Sequence, residues 1–272
     1  MLWWQTLPER FDSIAFSFLT VSIPWYTVCY IFGILLAAVF FVSLARRRQF
    51  FTSEEATIEL IVSVLWGVII GARLGFVIFY GDESYWREPW RIISPYDFTL
   101  GEWVGIRGLS FHGGLIGGMI GLWRFAREAN RSFWGIADGL VQAVPIGLFF
   151  GRIGNFLNHE IIGRPTEAWW GMYLVMGEGI LRHPVVLYEA LGEGVILFFF
   201  LVLVNRLKAR PGNITALFLI GYGAIRFYLE FFRETELVSA LGLTVGQAFS
   251  TVMVLWGVLL LVRQSRQPLV VQ

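Results

Sequence analysis

RIGNFLNHE, residues 152–160, follows immediately on GIADGLVQAVPIGLFFG, residues 135–151, and the join between the two places this chain in a membrane. It sets Arg152, Asn155, Asn158 and Glu160 directly after an apolar helix of bilayer length. An Arg near the centre of such a helix costs roughly 2.5–3.5 kcal/mol to insert, so a retained one faces a bundle interior or a wet cavity and marks function. Arg73 and Arg226 sit inside two further apolar runs. Three such residues in one small protein point to a polar chamber that holds something anionic.

Composition sets the class. The 272 residues are 56% hydrophobic, 17% aromatic and 15% charged, with a mean hydropathy of +0.65, which excludes a water-soluble monomer. The reading is an all-α integral membrane protein forming a single transmembrane domain over 1–272. Runs of about 20 apolar residues predict seven spans, at 24–44, 57–80, 109–126, 135–151, 184–204, 213–232 and 243–262. The fourth is interrupted by Asp138, Gln142 and Pro145, which predicts a kinked, tilted or partly re-entrant helix whose polar residues suit a cavity wall.

Basic residues cluster after spans one, three, five and seven: Arg46, Arg47 and Arg48; Arg124, Arg127 and Arg131; Arg206, Lys208 and Arg210; Arg263 and Arg266. Short inner loops keep Lys and Arg, so the N-terminus is expected outside and the C-terminus inside. Residues 1–23 alternate apolar and polar positions, lack the basic start and cleavage site of a signal peptide, and read as an interfacial arm. On this topology Tyr26, His112, His183, Arg152, Asn155, Arg226 and Glu230 all converge on the outer leaflet.

Each of these residues also has a packing interpretation. Gly67, Gly71 and Gly75, like Gly113, Gly114, Gly117, Gly118 and Gly121, have the small-xxx-small spacing of close helix contacts. Gly113 and Gly114 follow His112 at a helix start, where backbone N–H groups could instead meet an anion. His112 reads as an interfacial residue or a base, and His183, before Pro184, as a helix cap or interfacial anchor. His159 has no assigned role. Tyr222, Arg226 and Glu230 share one helical face, either as a self-neutralising Arg–Glu pair or as an oriented fork for phosphate. For Arg73, a helix contact and a ligand contact both stand open. Cys29 is the single cysteine, so no intramolecular disulfide forms. Three scattered His and no C-x-x-C or H-E-x-x-H pattern give no metal site, and neither a nucleophile elbow nor a nucleotide phosphate loop is present.

SFHGGLIGG at 110–118, GRIGNFLNHEIIG at 151–163, HPVVLYE at 183–189 and GYGAIRFYLEFFRE at 221–234 resemble, in order, the signatures of the prolipoprotein diacylglyceryl transferase family. Trp25 with Tyr26, and GARLGFVIFY at 71–80, are also similar to that family's pattern. The resemblance covers nearly the whole chain and implies a bacterial inner-membrane enzyme with its active site toward the periplasmic leaflet. Such an enzyme moves the diacylglyceryl group of phosphatidylglycerol onto the lipobox cysteine of a preprolipoprotein, giving a thioether and glycerol 1-phosphate. By this similarity Arg152 and Arg226 are the essential arginines, with His112, Asn155, Asn158, Glu160, Gly163, Tyr26, Tyr222 and Glu230 at matching positions. Residues 152–182 correspond to a small periplasmic head, whose part 163–182 is shorter than in some members of the family.

The chemistry accords with the residues found. Sulfur attack on a glyceryl carbon expels a phosphodiester oxygen, so cations that hold the phosphate lower the barrier. Arg152 and Arg226 are the expected clamp, and Glu160 and Glu230 are expected to orient them. Arg73, Gly113 and Gly114 are further candidates for lipid contact. The cysteine must lose its proton. His112 is the candidate base, Tyr222 an alternative or hydrogen-bonding partner, and an arginine field alone a third possibility. Neither a cofactor nor nucleic acid is expected. A transporter needs polar groups through both leaflets, and an intramembrane protease needs paired aspartates or a serine–histidine pair; neither pattern occurs here.

Overall fold

The structure, a computed structural model, describes residues 2–18, 21–48, 53–94, 96–97, 102–103, 108–175, 177–207, 210–235 and 242–266. The chain divides into two compact units, Met1–Leu44 with Ala137–Gln272, and Ala45–Ile136. In chain order, strands β1 (Ile14–Phe18) and β2 (Val21–Pro24) lead into α1 (Trp25–Arg48). Next come α2 (Glu54–Tyr80), a single turn α3 (Ser84–Arg87), β3 (Tyr96–Asp97), β4 (Glu102–Trp103) and α4 (Phe111–Glu128). After them run α5 (Phe133–Val141), α6 (Val144–Leu157), α7 (Val185–Glu189), a π-helical stretch Ala190–Ile196, α8 (Leu197–Asn205), α9 (Asn213–Leu229) and α10 (Val245–Ser265).

The fold is mostly helical, and among the described residues six helices are long and apolar enough to cross a membrane: 25–47, 55–80, 133–157, 185–205, 213–232 and 245–265. The third expected span, 109–126, forms as α4 but does not rank with these. Its glycines dilute the apolar content, and Arg124, Arg127 and Glu128 occupy its last turns. Two short antiparallel ladders supplement the helices, β1 with β2 in the N-terminal arm and β3 with β4 in the loop after α3.

The fourth span is broken as its sequence suggested. Pro145 lacks an N–H, and the helical ladder stops at Val141 and restarts as α6. α6 then runs to Leu157 rather than ending at 151, so Arg152 and Asn155 sit on a helix and not in a loop. Glycines let its neighbours come close: a Cβ at Gly154 would lie 2.9 Å from Tyr26 Cα of α1, and one at Gly194 would lie 2.7 Å from Phe149 Cβ of α6.

Asp138 and Gln142 do not line a cavity wall, which corrects the sequence reading. α9 begins after Gly212, which has a left-handed backbone (φ +91°) and no capping side chain. Asp138 of α5 supplies the missing acceptor, taking the Gly212 N–H at 2.7 Å, the Thr215 N–H at 2.7 Å and the Thr215 hydroxyl at 2.6 Å. Gln142 donates to Asp138 O at 2.7 Å and accepts from Asn205 at 2.6 Å. Asp138, Gln142 and Asn205 are buried. Orphan N–H groups at a helix start must be satisfied, and in lipid no water can do it. Nearby, Arg210 donates to the last carbonyls of α10, Gln264 O at 3.1 Å and Ser265 O at 2.8 Å.

In the second unit the glycines of α2 and α4 meet backbone to backbone. A Cβ at Gly71 would lie 2.3 Å from Gly113 O, and one at Gly117 would lie 2.0 Å from Gly67 O. Ser63 of α2 adds a hydrogen bond to Gly121 O at 3.1 Å.

Replacing Asp138 by Ala should cost about 1–3 kcal/mol, the penalty for stranding buried donors at a helix start. Denaturant unfolding in micelles reads this as a lower midpoint, and Asp138→Asn, which keeps an acceptor, should lose less. An unchanged midpoint for Asp138→Ala would remove the capping assignment.

Candidate active site

The apolar run after Pro184 carries two carboxylates. Glu189 ends α7 and Glu193 lies four residues on, inside the π-helical stretch. A π turn holds an extra residue and shifts the side chains that follow it. Both carboxylates are fully buried, with side-chain exposure of 0%. Gly194 lets this helix approach α6, and at Gly192 a Cβ would lie 2.8 Å from Ile225 of α9. The carboxylates therefore stand between Arg152 on α6 and Arg226 on α9.

Arg152 donates Nε and Nη2 to Glu193 Oε2, at 3.2 and 3.0 Å, and its Nε lies 3.1 Å from Glu189 Oε2. Arg226 places Nη1 3.2 Å from Glu189 Oε1 and 2.6 Å from Glu230 Oε2, with Nε 4.0 Å from Glu193 Oε1. Arg233 Nη1 lies 3.5 Å from Glu189 Oε1. Glu230 is held from its other side: Thr244, the N-cap of α10, donates its hydroxyl to Oε1 at 2.8 Å. The absent side chain of Gly246 leaves room for that carboxylate, since a Cβ there would lie 2.7 Å from Oε1.

Three guanidiniums thus face three carboxylates, and the layer is charge-balanced. Its exposure is not balanced. The carboxylate side chains are 0–3% exposed, whereas the Arg152, Arg226 and Arg233 side chains keep 16%, 13% and 20%. Each arginine is held by a buried carboxylate while its side chain stays partly exposed, and a planar fork so held is suited to meeting an oxyanion.

Tyr222, one turn before Arg226, stacks on Phe218 at 5.8 Å and interacts electrostatically with Glu193, Arg152 and Arg226. Glu230 contacts Arg226 as expected. Glu160 does not orient the arginines; it accepts from Asn155 at 2.6 Å and Asn158 at 3.4 Å. Asn158 in turn accepts the Tyr26 backbone N–H at 3.0 Å, joining the end of α6 to the start of α1. Gly163 pairs with the backbone of Arg233, and a Cβ there would lie 2.0 Å from His183 O. Its position is thus one of close backbone approach, which no side chain could share.

The segment between α6 and α7 is organised by Arg182. It forms a two-point pair with Glu178 at 2.8 and 2.7 Å, and donates to Glu234 at 2.6 Å and Gly163 O at 3.0 Å. His159, given no role from sequence, holds the N-terminal arm: Nε2 donates to Pro8 O at 2.7 Å, and Nδ1 lies 3.4 Å from the Ser13 hydroxyl. Trp170 can only donate, and it donates to the Tyr188 hydroxyl at 2.7 Å. The same Tyr188 hydroxyl lies 3.2 Å from His183 Nδ1. Burial lowers the His183 pKa, which favours the neutral ring.

In the second unit, Arg73 is buried and donates to three backbone carbonyls, Ile92 O at 2.6 Å, Arg91 O at 2.8 Å and Gly108 O at 3.2 Å. It fixes the loop after α3. His112 is exposed on the first turn of α4. Gly113 and Gly114 are buried, and their N–H groups already bond Ser110, to Oγ at 3.3 Å and to O at 2.9 Å. The packing interpretation fits these glycines, because no donor is left over for an anion.

Glu189, Glu193 and Arg233 were missed as site residues by the sequence reading. The signal was present: two glutamates interrupt the apolar run 184–204, the same anomaly that exposed the arginines.

A multi-pass membrane protein with a buried, charge-balanced arginine layer is a candidate for handling an anionic lipid. Residues 13–263 match the family model of prolipoprotein diacylglyceryl transferase. A phosphatidylglycerol–prolipoprotein diacylglyceryl transferase from Campylobacter lari is 38% identical over 265 residues, covering 96% of this chain and 96% of the relative. Proteins of the same name from Wolinella succinogenes and Chlorobaculum tepidum are 39% and 37% identical over 268 residues, covering 94% and 96% of this chain and 96% and 92% of the relatives. The chain belongs to the prolipoprotein diacylglyceryl transferase family.

Removing one partner of a buried pair strands the other charge, typically at about 3–5 kcal/mol. Glu189→Ala, which releases contacts to three arginines, should therefore cost stability of that order in micelle unfolding. Replacing the exposed Glu128 by Ala should change the midpoint little, and equal effects of the two would show that the layer does not hold the bundle.

Proposed function

We propose that Arg152 and Arg226 hold the phosphate of phosphatidylglycerol while its diacylglyceryl group leaves. The chain is a transferase that moves a diacylglyceryl group from phosphatidylglycerol to a prolipoprotein, as its family membership establishes. The observation that carries the clamp is the contrast in exposure across the layer, with fully buried carboxylates and arginine side chains that remain partly exposed. Donors that are already oriented need no reorganisation when charge builds on the leaving group, which is the largest usual source of catalysis.

The acceptor is the lipobox cysteine of a preprolipoprotein. Its thiolate attacks the glyceryl carbon that bears the phosphate, the C–S bond forms and the C–O bond breaks. The electron pair stays on the phosphate oxygen, giving a thioether and glycerol 1-phosphate. His112 takes the thiol proton, with Tyr222 as an alternative acceptor or a hydrogen-bonding partner. Glu189, Glu193 and Glu230 aim the arginines. Asn155 and Asn158, set by Glu160, donate to phosphate or ester oxygens beside Tyr26, and Gly163 leaves the backbone room for that arrangement. Arg73, Gly113 and Gly114 serve the lipid indirectly, by fixing the loop after α3 and the α2–α4 contact.

The two units act as one transmembrane domain in the bacterial inner membrane, with α4 as a seventh span. The N-terminus, the arm 1–23 and the head 152–182 face the periplasm, and the C-terminus faces the cytoplasm. In support, Arg206 and Arg210 follow the end of α8, and Arg263 and Arg266 sit in the last turn and at the C-cap of α10, at the opposite ends of these helices from the arginine layer. The acyl chains and the signal peptide are both apolar, and both enter sideways from the lipid. The donor phospholipid is itself activated, so the reaction calls on no cofactor.

The test is a transfer assay in phosphatidylglycerol liposomes with a lipobox peptide, read by mass spectrometry. The cysteine peptide gains one diacylglyceryl unit and a Cys-to-Ser peptide gains none. Arg152→Ala and Arg226→Ala each slow transfer by about 100-fold or more, the scale for losing one oriented donor. Transfer that survives in both folded variants overturns the clamp. Near-normal turnover by His112→Gln removes the base and leaves the clamp standing.

A further inference from the structure

Helix α4 has two faces of opposite character. Gly113, Gly117 and Gly121 meet the α2 backbone, while Gly114 and Gly118 meet Val68. The other face carries Ile116, Met119, Ile120 and Trp123, each 47–58% exposed. With Phe133 these four line an apolar groove of about 280 Å³. Positions 116, 120, 123 and 127 follow helical spacing, so the stripe runs on into Arg127.

Among the described residues, the charge at that end of the groove is only partly paired. Arg124 pairs with Glu128 at 2.8 Å. Arg127 instead lies over the Trp123 ring, 5.1 Å from its centroid, and among the described residues neither Arg127 nor Arg131 has a carboxylate partner. A tight turn, with Asn130 at φ +52° and the Arg131 N–H on Ala126 O at 2.9 Å, brings Arg131 back to the end of α4.

We propose that this groove binds an anionic phospholipid, with an acyl chain along Ile116, Met119, Ile120, Trp123 and Phe133 and the phosphate on Arg127 and Arg131. The site shares no residue with the arginine layer, and on the proposed orientation it opens to the inner leaflet. The order of groups along the groove is that of a lipid: apolar stripe, aromatic ring at the boundary, then cations. The ring holds one guanidinium at the level where a phosphate would lie. A second copy of the chain fits less well, because covering this face with protein would desolvate two arginines with no carboxylate to receive them. The one acidic residue of α4, Glu128, is already paired.

The probe is phosphatidylserine, titrated against purified protein in micelles and counted by native mass spectrometry. Arg152→Ala serves as the background, so that binding at the arginine layer does not mask the groove. Adding Arg127→Ala and Arg131→Ala should weaken retention roughly thirtyfold, the worth of two interfacial cations. Phosphatidylcholine should be retained weakly by both proteins. In an otherwise wild-type chain, Arg127→Ala with Arg131→Ala should still transfer diacylglyceryl to a lipobox peptide, which separates this site from the catalytic one. Equal phosphatidylserine retention with and without the two arginines would overturn the proposal. So would equal retention of the two lipids, which is the signature of annular lipid. An Ile120→Glu variant that turns a dimer into a monomer would assign the face to a second copy instead.

Discussion

Everything in the first unit is arranged around one constraint: charges buried at membrane depth must be neutralised by other parts of the same protein. Glu189 and Glu193 meet that demand from the middle. Each bridges helices that are distant in sequence, α6 through Arg152 and α9 through Arg226. Isolated ions in a low-dielectric medium cost many kcal/mol, so no single element of this set can move away alone. The glycines at 192 and 194 follow from the same demand, since long-range ion pairs at about 3 Å need helices that nearly touch.

The helices are tied at two depths. The Asp138 cap sits at the start of α9 and the arginine layer at its end. From Thr215 to Arg226 is eleven residues, roughly 16 Å at 1.5 Å per residue. The two networks differ in accessibility. Asp138, Gln142 and Asn205 are buried, and they bond backbone groups, the Thr215 hydroxyl and one another. The arginine layer is closed only on its carboxylate side. The first network has the character of a fixture, and the second, on the clamp proposal, that of a surface prepared for an anion.

Much of this was legible in the residues. The apolar runs gave the helices, Arg152 and Arg226 meet in one ion-pair layer, and Tyr222, Arg226 and Glu230 share the face their spacing required. What stayed hidden has physical causes. A π-helical stretch has no pattern that hydropathy reveals, so the placement of Glu193 against Arg152 could not be read from 3.6-residue periodicity. The cap by Asp138 joins residues 74 and 77 positions apart, and nothing local marks a side chain that will satisfy another helix. Arg73 carried the same anomaly as Arg152, yet backbone carbonyls receive it. A buried arginine signals a demand for acceptors, and the sequence does not say whether peptide groups or a ligand will supply them.

The two clamp arginines are not equivalent, and the difference follows from what their carboxylates could do without them. Glu193 has Arg152 as its hydrogen-bonded partner, and its second oxygen reaches Arg226 only at 4.0 Å. Drawing Arg152 away would leave that carboxylate uncompensated. Glu230 has support beyond Arg226: the Thr244 hydroxyl at 2.8 Å and the N-terminal end of α10, where partial positive charge favours an anion. Its charge survives if Arg226 shifts part of its fork toward an incoming phosphate. On the clamp reading, Arg152 is therefore the rigid half and Arg226 the half free to close. The layer can accept another negative charge because one of its carboxylates is anchored by a helix as well as by an arginine.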